Sequence, residues 1–277
     1  MKTRIFITFT LLVLLLLTSC GKPKQVLRIS GSTTVLPVIS KAAEIFQLSH
    51  PNVIITVNAG GSGVGFNQVA NKTVQIGMMS REISKQEISK FSELKFTTHT
   101  VGRDAVACVV SSEVYSANIT SLSLEQIKNI YNGSVKNWIE YGGPDRQILV
   151  IDKEHTRGTR HVFMKAVLGN KKAEAAGADL VLGSNNEEQT ALAQSDSAIG
   201  MLSFAWVNSD VRGVAIISET SKIEPTKKNV IDGLYPISRN LNLVTFEKPK
   251  ALVREFIDFI KSENGQQIIV ECGYVKN

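Results

Sequence analysis

Glycine and hydroxyl side chains cluster at three places where a strand-like apolar run gives way to a helical pattern. The first cluster is Gly31-Ser32-Thr33-Thr34, the second covers residues 60–65 around Ser62, and the third covers residues 153–159 and ends in Gly158-Thr159. The first N–H groups of a helix lack intrahelical partners, and the helix dipole makes this end positive. Glycine allows close approach to an oxygen, while serine and threonine add uncharged donors. Three such loops together could surround a tetrahedral oxyanion.

Basic side chains beside these loops could supply the charge that an oxyanion needs. Arg157 lies within the third loop, and Arg81 directly follows Ser80 at the end of another strand-like run. A charge-assisted hydrogen bond contributes roughly 1.5 to 3 kcal/mol. We therefore expect Arg157, with Arg81 or Lys153, to neutralise a bound anion. Each loop alone is also typical of an ordinary helix cap or turn, so the prediction depends on their joint occurrence.

The elements around these loops predict an α/β protein. Apolar runs typical of buried strands alternate with amphipathic stretches of helical period, which favours sheets covered by helices. The predicted strands cover residues 26–30, 53–57, 75–79, 101–110 and 148–151. Ser123 with Gln126, and Ser184 with Glu187, predict capping boxes at two helix starts. In open α/β sheets ligands bind outside the carboxyl ends of strands, where the three loops would lie.

The N-terminal segment has the pattern of an export signal. Lys2 and Arg4 precede an apolar run over residues 5–17, which as a helix would span about 20 Å, less than the ~30 Å core of a bilayer. The run ends in Leu17-Thr18-Ser19-Cys20-Gly21, which resembles a bacterial lipobox. We predict a signal peptide over 1–19, a lipidated Cys20 and a tether over 20–25, with an ordinary signal peptide as the alternative. Export would permit a disulfide between Cys108 and Cys272, but two buried thiols fit equally well.

Composition and motifs argue against nucleic-acid binding and catalysis. Without Lys2 and Arg4 the formal net charge falls from +6 to +4, and only 6% of residues are aromatic, so neither a basic track nor a base-stacking platform is predicted. Ser62 lacks the second glycine of a Gly-x-Ser-x-Gly elbow, and no P-loop lysine follows residues 60–65. The four histidines lack metal-ligand spacing. We therefore expect neither an enzyme nor a bound metal or cofactor.

A series of motifs follows the order and spacing of a known protein family. They are Gly31-Ser32-Thr33-Thr34-Val35, residues 60–65, Ile76-Gly77-Met78-Met79-Ser80-Arg81, Tyr131-Asn132-Gly133, Asn137-Trp138, Gly158-Thr159-Arg160, Ala198-Ile199-Gly200, Tyr235-Pro236-Ile237-Ser238-Arg239 and Gly265-Gln266-Gln267. Over nearly the whole mature chain these motifs resemble the phosphate-binding component of the ABC-type high-affinity phosphate importer. The resemblance implies a type II periplasmic-binding-protein fold, whose two lobes close on inorganic phosphate and deliver it to a membrane permease.

The resemblance also implies which residues bind phosphate. They are Ser32, Thr33, Thr34, Ser62, Ser80 and Arg81 from the first lobe, and Arg157, Gly158 and Thr159 from the second. The third loop departs from the family pattern Arg-Glu-x-Gly-Ser-Gly-Thr-Arg, because Lys153 replaces the arginine, Thr156 a glycine and Arg157 the serine. We therefore expect the cationic partner of the anion to have moved from one end of this loop to the other.

Asp104 is a charged residue inside an apolar predicted strand, where a carboxylate is costly unless it is paired. It could form an internal ion pair with the adjacent Arg103. It could instead accept a hydrogen bond from the proton that phosphate retains at neutral pH. Sulfate has no such proton, so this carboxylate would select phosphate by repelling sulfate. We include Asp104 among the predicted phosphate-binding residues and keep a binding protein for sulfate or molybdate as the alternative.

The chain is expected to cross between two lobes along strands 101–110 and 237–245. Residues 26–104 and 242–277 would form the first lobe, and residues 105–241 the second. The expected partners are inorganic phosphate, an ABC-type permease and, through the lipid anchor, the cell membrane, which places the protein outside the cytoplasm. A surface lipoprotein that keeps the fold as an adhesin or phosphate sensor fits the same sequence.

Replacing the lipidated cysteine tests the predicted anchor. Cys20→Ser should release the protein from the membrane fraction and leave phosphate affinity unchanged, because the acyl chains rather than the folded domain provide the membrane affinity. Fractionation followed by calorimetry measures both effects. A variant that stays in the membrane pellet contradicts the lipoprotein prediction.

Overall fold

The computed structural model describes residues 24–219 and 221–277, so the predicted signal peptide and Cys20 lie outside the described residues. The strands of the described chain are β1 Gln25–Gly31, β2 Val53–Ala59, β3 Ile76–Met79, β4 Phe96–Ser111, β5 Ser121–Ser123, β6 Leu149–Lys153, β7 Leu180–Leu182, β8 Ala198–Ser203, β9 Val211–Gly213, β10 Ala215–Ile217, β11 Lys222–Ile223, β12 Ser238–Phe246 and β13 Val275–Lys276.

The helices alternate with these strands along most of the chain. They are α1 Leu36–Ser49, α2 Ser62–Ala70, α3 Lys85–Lys90, α4 Ser112–Ser116, α5 Leu124–Tyr131, α6 Gly158–Val167, α7 Asn185–Ala193, α8 Lys227–Ile231, α9 Ala251–Lys261 and α10 Glu263–Glu271, with 3-10 turns at Trp138–Tyr141 and Phe204–Trp206. None of the helices in this part of the chain is both long and apolar enough to cross a bilayer.

The predicted elements agree with the structure except at their ends. β4 begins at Phe96 rather than at 101. Gln25, which was predicted to lie in the tether, is the first residue of β1 and pairs with Val53 of β2. Both predicted capping boxes are confirmed: Ser123 Oγ accepts from the Gln126 amide and Ser184 Oγ from the Glu187 amide, with the return bonds present. Local hydrogen bonding therefore fixes these two helix starts.

The main sheet of the described residues runs in the order β2-β1-β3-β12-β4-β8-β6-β7, with β9 and β13 pairing separately with β4. β1 is parallel to β2 and β3, and β6 is parallel to β7 and β8, whereas β4 is antiparallel to β12 and β8. The carboxyl ends of β1, β3 and β6 precede segments that carry predicted ligand residues. A small sheet, β11-β10-β5, lies apart from this path.

β4 belongs to both halves of the main sheet. Its residues from Phe96 to Ala105 pair with β12, and those from Val106 to Val110 pair with β8. The strands therefore form one continuous curled path rather than two separate sheets. Separate apolar cores pack on the two sides of this change of partner, one around Ile29 and Phe256 and another around Val106 and Phe163. The boundaries 26–104 with 242–277, and 105–241, remain a prediction.

Replacing a buried phenylalanine of α9 with alanine tests whether the C-terminal stretch packs into the core formed with β1 and α1. Phe256 is fully buried and its ring lies 5.3 Å from that of Phe46 in α1. Phe256→Ala should lower the free energy of unfolding by about 3 to 5 kcal/mol, because it removes packing and leaves a cavity. Leu48→Ala, at a side chain 82% exposed in α1, should change it by less than about 0.5 kcal/mol. Equal losses in denaturant titrations would contradict this packing.

Candidate ligand site

The three predicted loops lead into helices whose first turns have no side-chain cap. Neither α1, α2 nor α6 has a capping hydrogen bond from its N-cap residue, whereas α3, α5 and α7 each have a capping box. The hydroxyl groups of the loops are therefore not used as ordinary N-cap side chains. Uncapped N–H groups with adjacent hydroxyls are the arrangement that binds anions at helix N-termini.

The hydroxyls of the first half of the chain meet at one point. Ser80 lies at its centre: its Oγ is 2.9 Å from Ser32 Oγ and 3.4 Å from Ser62 Oγ, and its amide donates to Ser62 Oγ at 3.0 Å. Gly31 makes the first turn possible, because its φ is 140° and a Cβ there would lie 2.2 Å from the Met78 carbonyl oxygen. Thr33 is buried in the same loop.

The third loop closes against this group from the other side. A Cβ on Gly158 would lie 2.3 Å from Ser62 Oγ and 2.5 Å from Ser80 Oγ, so the glycine backbone occupies space that no side chain could share. Thr159 Oγ1 is 3.5 Å from Thr34 Oγ1. We call Ser32, Thr34, Ser62, Ser80, Gly158 and Thr159 the hydroxyl cluster. Each of them except Gly158 donates or accepts through a hydroxyl, and all are buried.

The cation at the hydroxyl cluster is Arg239, which the sequence analysis did not assign to the site. Its Nη1 donates to Thr159 Oγ1 at 2.9 Å and to Ser80 Oγ at 3.3 Å, and its Nη2 donates to Thr34 Oγ1 at 3.2 Å. One guanidinium from β12 therefore contacts the first loop, the third loop and the end of β3. Its planar set of donors suits this bridging role.

Asp104 holds this guanidinium in place. Its Oδ2 accepts from Arg239 Nε at 2.9 Å and from Nη2 at 2.7 Å, and its Oδ1 accepts from Ser203 Oγ at 2.9 Å. Burial raises the pKa of Asp104 above its ordinary value, while Arg239 and Ser203 act in the opposite direction. Arg239 therefore connects Asp104 to the hydroxyl cluster, because its guanidinium is hydrogen-bonded to both.

The suggested ion pair between Arg103 and Asp104 is wrong. Adjacent residues of a strand point to opposite faces, so the two side chains cannot meet. Asp104 lies opposite Arg239 in the antiparallel register of β4 and β12. The side chain of Arg103 faces a cleft beside the site instead.

The two arginines expected at the anion are engaged with carboxylates outside the hydroxyl cluster. Arg81 donates to both carboxylate oxygens of Glu87 at 2.7 and 2.8 Å, and Arg157 donates to Glu154 at 2.6 and 2.8 Å. That either guanidinium neutralises the anion directly stays a prediction, since both are paired with carboxylates in this conformation. Each has a closer partner on its own segment of chain.

Lys153 also has another partner, because it forms a fully buried ion pair with Glu188 behind the third loop. Burial lowers the pKa of Lys153 and raises that of Glu188, although each partner opposes the shift of the other. The neighbouring pair Arg160–Asp152, at 2.9 Å, is buried as well. These pairs support the loop from behind rather than supplying charge to a ligand.

Asn185 is a second site residue that the sequence analysis missed. It is 1% exposed at the start of α7, and its Nδ2 donates to Thr34 Oγ1 at 3.2 Å. Thr34 Oγ1 thus receives hydrogen bonds from both Asn185 and Arg239. Arg239 could have been sought from the sequence, because a carboxylate inside an apolar strand, that of Asp104, requires a cationic partner. No sequence feature pointed to Asn185.

The same architecture occurs in known proteins. The model of the PBP superfamily domain matches residues 18–264. The phosphate-binding protein PstS of Bacillus subtilis (strain 168) is 33% identical over 252 residues, which are 90% of this chain and 80% of that protein. The chain belongs to this family of solute-binding proteins. The match confirms the predicted family and fold class, and the family is not one of enzymes.

Solved structures extend the comparison to three dimensions. A Clostridium perfringens chain described as a phosphate ABC transporter substrate-binding protein with bound phosphate superposes with a TM-score of 0.82 at 32% identity, covering 91% of this chain and 100% of that one. An ABC-type phosphate transport receptor from Vibrio cholerae gives a TM-score of 0.73 at 30% identity, with coverage of 91% and 100%.

A methyl group at Gly158 tests the close approach of the third loop. Gly158→Ala should force the loops apart, because its Cβ would lie within 2.5 Å of two hydroxyl oxygens. We expect a larger radius of gyration by X-ray scattering, with an unchanged circular dichroism spectrum. Gly183→Ala is the matched control, since a Cβ there meets only the ends of the Arg157 and Glu187 side chains. An equally compact Gly158→Ala protein would contradict the observed contact.

Proposed function

We propose that this protein binds inorganic phosphate between its two lobes and delivers it to an ABC-type phosphate importer. One observation carries the proposal: a single buried guanidinium, that of Arg239, binds Thr34 and Thr159 beside two uncapped helix N-termini, and also Ser80, which is hydrogen-bonded to Ser62 at a third. Neutral donors and one paired arginine suit a small tetrahedral oxyanion. The names of the relatives, phosphate-binding protein PstS and phosphate ABC transporter substrate-binding protein, support the same ligand.

The phosphate-binding residues in this proposal differ from those of the sequence analysis. Ser32, Thr33, Thr34, Ser62, Ser80, Gly158 and Thr159 donate to the phosphate oxygens, and Arg239 supplies the charge. Arg81 and Arg157 stay paired with Glu87 and Glu154 in this proposal. The lobes are residues 26–104 with 242–277, and residues 105–241, and they separate to admit the ligand.

Asp104 provides selectivity for phosphate over sulfate in this account. Its carboxylate neutralises Arg239, so the site offers many hydrogen-bond donors but little net charge to a dianion. In the proposal Oδ1 of Asp104, which accepts from Ser203 in this structure, accepts the proton that phosphate retains once the ligand has entered. Sulfate brings no proton and meets an acceptor that repels it.

The export signal and Cys20 complete the proposed function. The domain works outside the cytoplasm, attached to the cell membrane by lipid on Cys20, so that captured phosphate stays close to the permease. The predicted lipobox supports this location, and two or more acyl chains are sufficient for stable anchoring. A binding protein for sulfate or molybdate is the alternative, and the selectivity experiment separates the two.

Neutralising the carboxylate at position 104 tests both ligand and selectivity. Wild-type protein should bind phosphate far more tightly than sulfate, whereas Asp104→Asn should weaken phosphate binding by about 1 to 3 kcal/mol. It should also strengthen sulfate binding, because Arg239 then presents an uncompensated charge. Calorimetry with each anion gives the ratio of the two affinities.

The matched control is Asp152→Asn, which breaks the buried pair with Arg160 behind the third loop and leaves the Arg239–Asp104 pair intact. Both variants should lower the melting temperature of the unliganded protein, since one partner of a buried pair is lost. Only Asp104→Asn should change the affinity ratio. An unchanged ratio would remove Asp104 from selection, and a wild-type protein that prefers sulfate would overturn phosphate as the ligand.

A further inference from the structure

A cavity adjoins the hydroxyl cluster at Arg239. This cleft has a volume of about 650 Å³ and lies between Arg81 to Ile83 on one side and the face of α6 that carries His161 and Lys165 on the other. Arg103 and Arg239 form part of its floor. The volume falls in the range of roughly 300 to 1,000 Å³ that is typical of small-molecule sites. We call this cavity the basic cleft.

Three cations of the basic cleft lack a carboxylate partner. Arg103, Lys165 and Lys171 all line it, and none of them forms an ion pair within residues 24–219 and 221–277. The one acidic side chain among the described lining residues, Glu82, accepts a hydrogen bond from Asn242. Like charges that converge without counter-charges raise the local potential and favour a bound anion.

Two buried nitrogens at the cleft also lack a partner within the described chain. One is Nε of Arg81, a donor on a residue only 7% exposed; the other is Nδ1 of His161, which is an acceptor, because Nε2 of the same neutral ring donates to the His155 carbonyl at 2.7 Å. Burial, reinforced by Arg81 and Lys171, lowers the pKa of His161 to about 4. The neutral state of His161 is thus mainly an effect of burial, and of the three unpaired cations only Lys171 contributes to it.

The walls of the basic cleft restrict the chemistry of its ligand. Apolar side chains of Ile83, Val162 and Ile237 lie between the cations. The unpaired cations come from α6 and the segment after it, which carry Lys165 and Lys171, and from β4, which carries Arg103, so a ligand with two separated anionic groups could contact several of them together. Condensed phosphates and small phosphate esters share this chemistry.

We propose that the basic cleft is a second anion site, distinct from the hydroxyl cluster, that binds a small polyanion such as a condensed phosphate or a phosphate ester. This proposal rests on the proposed function in one respect, because it takes inorganic phosphate to be the ligand of the hydroxyl cluster. The charge of the basic cleft is independent of that assignment.

Titration of the full chain in saturating inorganic phosphate tests the second site. With the hydroxyl cluster occupied, calorimetry with inorganic pyrophosphate, and separately with glycerol 3-phosphate, should reveal one further binding event. Lys165→Gln with Lys171→Gln should weaken this event about tenfold or more, and phosphate affinity should stay unchanged. The control is Lys248→Gln with Lys261→Gln, which removes the same charge from exposed positions outside the cleft.

The outcomes separate the two proposals. Binding of pyrophosphate alone identifies a condensed phosphate as the ligand class, and binding of glycerol 3-phosphate identifies an ester. Absence of both events, equal weakening in the control pair, or a change confined to the salt dependence of phosphate association would overturn the second site. Failure of phosphate itself to bind would overturn the proposed function, and pyrophosphate binding that depends on Lys165 and Lys171 would still support the cleft.

Discussion

The buried ion pair between Arg239 and Asp104 is the interaction on which the site depends. A guanidinium without a partner would be costly in a dry interior, and Asp104 offsets this cost with two hydrogen bonds at 2.7 and 2.9 Å. The position of the carboxylate fixes the plane of the guanidinium, which then contacts Thr34, Ser80 and Thr159. The first loop, the end of β3 and the third loop are thereby joined through one side chain.

This pairing also determines what kind of ligand the site accepts. A neutralised arginine surrounded by hydroxyls and uncapped helix N-termini binds through hydrogen-bond geometry more than through net charge. Such a site discriminates between anions of similar shape by their protons. The basic cleft next to it has the opposite character, because Arg103, Lys165 and Lys171 form no ion pair within the described residues, so the two proposed anion sites would differ in selectivity.

Local patterns predicted the helix starts and most strand positions, because capping boxes and apolar runs involve residues close in sequence. The ligand loops were predicted in the same way. The cation was not, because Asp104 and Arg239 are separated by the whole of the chain between β4 and β12, and only the antiparallel register brings them together. Arg81 and Arg157 were plausible anion-binding residues because they lie near the loops in sequence. In the structure they are paired instead with Glu87 and Glu154.

The phosphate affinities of Arg239→Gln and Arg157→Gln, measured by calorimetry under the same conditions, test this account most directly. If Arg239 is the cation of the site, its loss should weaken phosphate binding by about a hundredfold or more, on the scale of a lost charge-assisted hydrogen-bond set. Arg157→Gln, which removes an equal charge paired with Glu154, should weaken it by less than about tenfold. The reverse order would contradict the assignment and return the role to the third loop.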